Sequence, residues 1–161
     1  MISPSWGGGA AYPHRVQRGV EYLESSGLRA RVAPHAMNPA GYVSDTAENR
    51  AADVHEMLRD PEMKAVVAAI GGDHSCHLLP LLDFDLKREH PTILVGYSDV
   101  TVLNVAIWEK TGLVTFNGPA LVVELAEYRK VFDFTERHML KTLCSAEPVG
   151  EIEPSGWWTE E

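Results

Sequence analysis

Cysteine is scarce. Cys76 and Cys144 are the only two in 161 residues and lie far apart, so no disulfide framework is implied and a reducing, cytoplasmic setting is the simplest expectation. Positive charge is short as well: 14 Lys and Arg stand against 23 Asp and Glu, a formal net charge of −9. A nucleic-acid partner needs a basic face to meet its phosphates, and an anionic membrane surface needs the same, so the expectation is no nucleic acid and no membrane. No apolar run approaches the roughly 20 residues that span a bilayer. The start, Met1-Ile2-Ser3-Pro4-Ser5, has neither the basic opening nor the apolar stretch of a signal peptide. Internal repeats and low-complexity tracts are missing too. What is present, 45% apolar and 23% charged residues, is the composition of a globular domain. A chain of this length buries roughly 68–70% of its unfolded surface.

Short β-branched runs alternate with amphipathic stretches. Ile2 ends a first strand, followed by a glycine-rich loop from Trp6 to Tyr12. Pro13 suits a first helical turn, Val16, Val20 and Leu23 follow at helical spacing, and Gly27 stands where a C-cap belongs. Arg29 to Ala33 is a second strand candidate. Asp45-Thr46-Ala47-Glu48 resembles a capped helix start, with Ala51, Val54, Met57 and Leu58 on one face. Ala65 to Ile70 is a continuous apolar run stopped by Gly71-Gly72, which fits a buried central strand. Leu78 to Leu82 reads as one or two helical turns. Thr92 to Val95 and Leu113 to Phe116 are further strands. Val100 to Lys110 and Thr135 to Leu143 are helices. This alternation predicts an α/β fold, a mostly parallel sheet with helices on both faces. Ligands on such sheets bind at the carboxyl ends of the strands. The loops Gly71–His77, Gly96–Asp99 and Asn117–Pro119 therefore share one edge, which makes Gly71, Asp73, Asn117 and Gly118 candidate substrate-binding residues.

Ser98 is the candidate nucleophile. A strand, a Gly96-Tyr97-Ser98 turn and a helix make the layout of a nucleophile elbow, which lifts a serine oxygen clear of the sheet and aims helix amides at an oxyanion. The N–H of Asp99 is one such donor, and the Gly71-Gly72 turn after a buried strand is a candidate source of the second. Strained backbone is expected at Ser98. Two plainer readings stay open on the residues alone. Ser98 is then only a helix N-cap, since Val100 stands where a full Gly-x-Ser-x-Gly pattern has its last glycine, and Gly71-Gly72 is only a tight turn. No Gly-Lys-Ser/Thr follows to make a phosphate loop, and Trp6-Gly7-Gly8-Gly9 lacks dinucleotide-binding spacing. His74, Cys76 and His77 fall short of a four-ligand zinc site. Neither a metal nor a cofactor is expected. Cys144, after a helical apolar face, reads as core or boundary.

Seven segments occur in order: Ser3-Pro4-Ser5, Arg18-Gly19-Val20-Glu21-Tyr22-Leu23, Asn49-Arg50-Ala51-Ala52-Asp53, Ile70-Gly71-Gly72, Leu78-Leu79-Pro80-Leu81-Leu82-Asp83, Gly96-Tyr97-Ser98-Asp99-Val100-Thr101 and Thr115-Phe116-Asn117-Gly118-Pro119. Together they resemble the N-terminal half of the LD-carboxypeptidase family, including its microcin C immunity branch. The resemblance implies a flavodoxin-like nucleophile domain over residues 1–150. It implies a serine carboxypeptidase with Ser98 as nucleophile and Asp99 and Gly72 as oxyanion donors. It further implies a Ser-Glu-His triad whose Glu and His come from a second, C-terminal domain. Residues 151–161 then form a tail leading toward that absent domain. The substrate is a small peptide or peptidyl-nucleotide, cut at the L–D bond of a murein tetrapeptide or at a microcin-type amide near a free carboxylate. The alternative is a fragment without hydrolysis of its own, acting as a peptide- or protein-binding module. Asn117–Pro119 and the Trp157-Trp158 tail are expected to form an apolar surface, covered by a second domain or by another copy of the chain in a homodimer.

Overall fold

A computed structural model describes residues 1–156. Helix α1 (Gly8–Ala11) and helix α2 (Pro13–Ser25) follow the first strand segment, and α3 (Ala47–Arg59) precedes strand β1 (Ala65–Val67). Then come α4 (Phe84–Glu89), strand β2 (Ile93–Val95), α5 (Thr101–Thr111) and α6 (Asp133–Leu143), with single 3₁₀ turns at Ser75–Leu78, Ser98–Val100 and Glu124–Ala126.

The sheet is parallel, as the βα alternation requires. Strand β1 pairs with β2 in the register Ala65↔Ile93, Val66↔Leu94 and Val67↔Val95. Parallel bridges add Ile2 beside Ala68 and Phe116 beside Val95. On the far side of Ile2, the Met1 N–H group donates to Arg31 O, and Ala33 N–H donates to Met1 O at 2.9 Å. These are the slanted bonds of a parallel pair. The segments therefore lie in the order 29–33, 1–3, β1, β2, 115–117, the 2-1-3-4-5 order of the flavodoxin-like fold. Ladder pairing is shorter than the apolar runs suggest. Beyond Val67, the carbonyls of Ala68 and Ala69 turn to the N–H groups of Leu121 and Val122, both at 3.0 Å, so a crossing loop covers the strand end. Among the described residues, Arg29–Ala33 keeps sheet bonds only to Met1 and forms no named strand.

Helix signals hold where caps and periodicity coincide. Pro13 opens α2, Thr46 Oγ1 accepts the Asn49 N–H at 3.2 Å to cap α3, and Gly112 (φ 73°) closes α5 in the left-handed region. Helices α1 and α4, four and six residues long, are too short to reveal a period. The core under the helices holds Ile2, Met57, Val95, Val100, Leu103, Leu121 and Leu125, each nearly sealed from solvent. Cys76 and Cys144 are both free. Cys144 is exposed, contrary to the core or boundary expectation, because it sits one residue past the last turn of α6, where the helical period no longer aims it inward. Trp157 and Trp158 lie outside the described residues.

Candidate active site

Strand order alone places the site. The order reverses between the first strand segment and β1, so the crevice at their carboxyl ends is the topological switch point. Ser3-Pro4-Ser5 leaves one of these strands and Ile70-Gly71-Gly72 the other. The β2–α5 turn, with Ser98, stands beside them.

Ser98 has φ 60°, one of two non-glycine residues in the left-handed region among those described. A serine pays no such strain in an ordinary N-cap, which has extended backbone. Its hydroxyl makes no cap hydrogen bond. The Val100 N–H goes instead to Tyr97 O at 3.2 Å, and the Thr101 N–H to the Ser98 carbonyl. The capping reading therefore fails, and the side chain is exposed with a free oxygen.

Gly71 packs against this turn. A Cβ there would stand 2.8 Å from Ser98 Cβ, 2.9 Å from Ser98 Oγ and 3.3 Å from Asp99 N. The next residue, Gly72, has φ 145°, and a Cβ on it would meet Ser5 Oγ at 2.3 Å and Trp6 N at 2.8 Å. Both positions need glycine, one for close approach and the other for backbone and approach together. The N–H groups of Gly72 and Asp99 donate to no described group. The free Asp99 amide thus adjoins the exposed hydroxyl, and the free Gly72 amide belongs to the residue that follows the glycine packed on it.

The Asp99 side chain has a different job from its amide. Its Oδ2 accepts the Ser75 N–H at 2.8 Å. Burial pushes its carboxyl up, but hydrogen bonds from Ser5 and from the Ser75 and His74 segment outweigh that and hold it below the ordinary carboxylate range. Ser5 Oγ in turn accepts the His74 N–H at 2.9 Å. The carboxylate is a latch between the Ser98 turn and the Gly71–His77 loop.

Arg50 clamps the same loops from below. It is buried, and its guanidinium donates to Pro4 O, to His74 O at 3.2 Å and to Asp45 O at 3.0 Å. Sequence reasoning missed this role. The available signal was position: Arg50 stands four residues before Val54 and seven before Met57, on the apolar face of α3.

Of the other candidates, Asn117 Oδ1 accepts the Thr101 hydroxyl at 3.3 Å, and Gly118 lies against the Val95 side chain. Both line an open groove of about 410 Å³ with Tyr97, Pro119, Glu124 and Thr135. Tyr97 donates its hydroxyl to Glu124 Oε1 at 2.7 Å, while Glu124 Oε2 accepts the Ala120 N–H at 2.9 Å. Burial and the Glu124 carboxylate push the Tyr97 phenol up to about 12, so it stays a donor. Glu124 was not foreseen, since nothing local in Val123-Glu124-Leu125 marks it. Asp73 is exposed and contacts His74 Nδ1. No group of three or more His, Cys, Asp or Glu fit for a metal occurs among the described residues. No helix there is long and apolar enough to cross a membrane.

Comparison with known proteins places this arrangement. Residues 1–118 match the LD-carboxypeptidase N-terminal domain. A Vibrio cholerae protein assigned to the carboxypeptidases is 35% identical over 160 residues, covering 99% of this chain and 48% of that protein. The Escherichia coli microcin C7 self-immunity protein MccF is 38% identical over 130 residues, 81% of this chain and 38% of that protein. The MccF apo structure has a TM-score of 0.85 at 36% identity, over 88% of this chain and 42% of that one. MccF structures include complexes with aspartyl sulfamoyl adenosine and glutamyl sulfamoyl guanosine. The muramoyltetrapeptide carboxypeptidase of Oxalobacter formigenes has a TM-score of 0.79 at 26% identity, over 89% of this chain and 47% of that one. The chain spans half or less of the length of these relatives.

Proposed function

The chain belongs to the LD-carboxypeptidase family, and on that premise we propose that the intact protein hydrolyses an amide bond near a free carboxylate by acyl transfer through Ser98. One observation carries the reading: Ser98 is held at φ 60° with an exposed hydroxyl that caps nothing. Left-handed backbone at a serine persists only where its surroundings impose it, and here the strain presents the oxygen to the crevice.

Ser98 Oγ attacks the carbonyl carbon, forming a C–O bond as its proton passes to a general base. The carbonyl oxygen takes the negative charge, and the amides of Asp99 and Gly72 receive it. Collapse breaks the C–N bond, the base returns the proton to the leaving amine, and water then hydrolyses the acyl-serine. No carboxylate or imidazole among the described residues bonds to Ser98 Oγ. A neutral serine without a base is a poor nucleophile. The Glu and His of the triad accordingly come from the half of the relatives' length that this chain does not span. Gly71, Asp73, Asn117 and Gly118 border the substrate, a murein-type tetrapeptide or a peptidyl-nucleotide. Two free, exposed thiols suit a reducing cytoplasm.

The test is Ser98→Ala in the intact protein, assayed with an L–D tetrapeptide and an aminoacyl-nucleotide side by side. Turnover should fall about 10³-fold or more on whichever is cut, with the fold unchanged. Turnover that survives the change would remove Ser98 from the reaction.

A further inference from the structure

Arg18, Glu21, Tyr22 and Ser25 share one face of α2, since they recur at helical spacing. With α6 and the loop at 125–131 they border a second cavity, of about 450 Å³. It has no lining residue in common with the Ser98 turn or with the Asn117 groove. Its size falls within the range of about 300–1,000 Å³ typical of small-molecule sites.

Charges line this cavity without meeting. Arg18, Arg129, Glu21 and Glu136 form no ion pair among the described residues. Three of the four are held by other groups. The Arg18 guanidinium donates to Ala126 O at 2.8 Å and lies 5.6 Å from the centroid of the Tyr128 ring. Arg129 lies 5.9 Å from the same centroid. Glu21 accepts the Gln17 side-chain amide at 2.9 Å. Glu136 faces Tyr22, whose Oη is sealed from solvent and has no hydrogen-bond partner, and burial together with this carboxylate pushes the phenol up.

Two guanidiniums drawn to one ring repel each other unless an anion joins them. Opposite charges here stay apart across an open space, although the chain carries more acid than base to pair with its arginines. Arg129 also has φ 77°, and it is the second non-glycine residue in the left-handed region among those described. Such backbone persists where its surroundings impose it, and ligand clamps are one such place. Leu125 and Val131, both nearly sealed, give the cavity an apolar floor.

We propose that this cavity binds a free α-amino acid with an apolar side chain. Arg18 and Arg129 take its carboxylate, because a guanidinium fork matches the two oxygens. Glu136 and Glu21 take its ammonium group. The side chain lies on Leu125 and Val131. The site is independent of the role of Ser98.

The experiment titrates the full-length protein calorimetrically with leucine, N-acetylleucine, leucinamide and glycine. Leucine carries both charges and an apolar side chain, and each of the others lacks one of the three. Leucine should bind about tenfold or more tighter than each of them. Arg129→Gly, which suits the left-handed backbone and so keeps the loop folded, should weaken leucine and N-acetylleucine about tenfold and leave leucinamide unchanged. Glu136→Gln should weaken leucine and leucinamide about tenfold and leave N-acetylleucine unchanged. Three results would each overturn the site: no leucine binding at about 10 mM, a single-charge analogue that binds as tightly as leucine, or a leucine affinity that neither variant moves. These titrations read binding and not hydrolysis, so the Ser98 reading stands or falls separately.

Discussion

Replacing Ser98 by glycine should make the protein more stable while abolishing its hydrolysis. At φ 60° the serine Cβ crowds the following carbonyl, a cost of about 1–2 kcal/mol for an L-residue that glycine escapes. Glycine gives back part of that gain, about 0.4–1 kcal/mol, because its unfolded chain is freer. Nothing else is lost: the Ser98 hydroxyl caps no helix and its side chain is exposed. The net gain is about 0.5–1 kcal/mol. Ser98→Ala is the control, since it deletes the same hydroxyl but keeps Cβ and the strain, and its stability should match the parent protein. Urea denaturation of the intact protein and both variants reads the difference. At a slope of about 1–3 kcal/mol per molar, the glycine variant should unfold a few tenths of a molar later than the alanine variant. A glycine variant no more stable than the alanine variant would refute the claim that the fold imposes strain at Ser98. The reading of the site as strained for function would fall with it.

Gly71→Ala should damage catalysis more than stability: its Cβ, 2.9 Å from Ser98 Oγ, forces the hydroxyl aside, lowering kcat about 100-fold or more at a cost of about 1–3 kcal/mol in folding. Unchanged kcat would mean that the oxygen works from another position. A pH test uses Lys87, which is buried and donates to Thr92 O, and whose amine burial lowers to about 8 from 10.5. Below pH 8 both folded and unfolded chains carry the charge and the folded state bears its full penalty. Between pH 8 and 10.5 only the unfolded chain stays protonated, so stability should rise with pH by about 1–3 kcal/mol. Tyr97, pushed up to about 12, acts in the opposite direction above pH 10, so midpoints are compared at pH 7.5 and 9.5. Lys87→Met should flatten the rise, and a parent protein with no rise would show that the amine is hydrated.

Some of this was legible because it depends on neighbours along the chain. The Ala65–Ile70 run stopped by two glycines marks a strand whatever surrounds it, and Pro13, Thr46 and Gly112 mark helix ends by local backbone chemistry. The strand–turn–helix layout around Ser98 is local as well, since a strand, Gly96-Tyr97-Ser98 and a helix lie within twenty residues. Their parallel arrangement follows from alternation and chain handedness. What the sequence could not supply was every contact made between segments distant in the chain. In the sequence Asp99 offers only its backbone N–H beside Ser98, and the fold alone brings its carboxylate within 2.8 Å of Ser75 N and makes it a latch. Glu124 stands 27 residues from the Tyr97 hydroxyl it accepts, and no period links them. Trp6 and His74 read as residues of two separate loops, and only the fold makes them neighbours of one ring, Tyr42. Local propensity and patterning determine which segments are strands and turns, because those energies act within a few residues. Packing decides which turns meet, because burial rewards contacts regardless of separation along the chain.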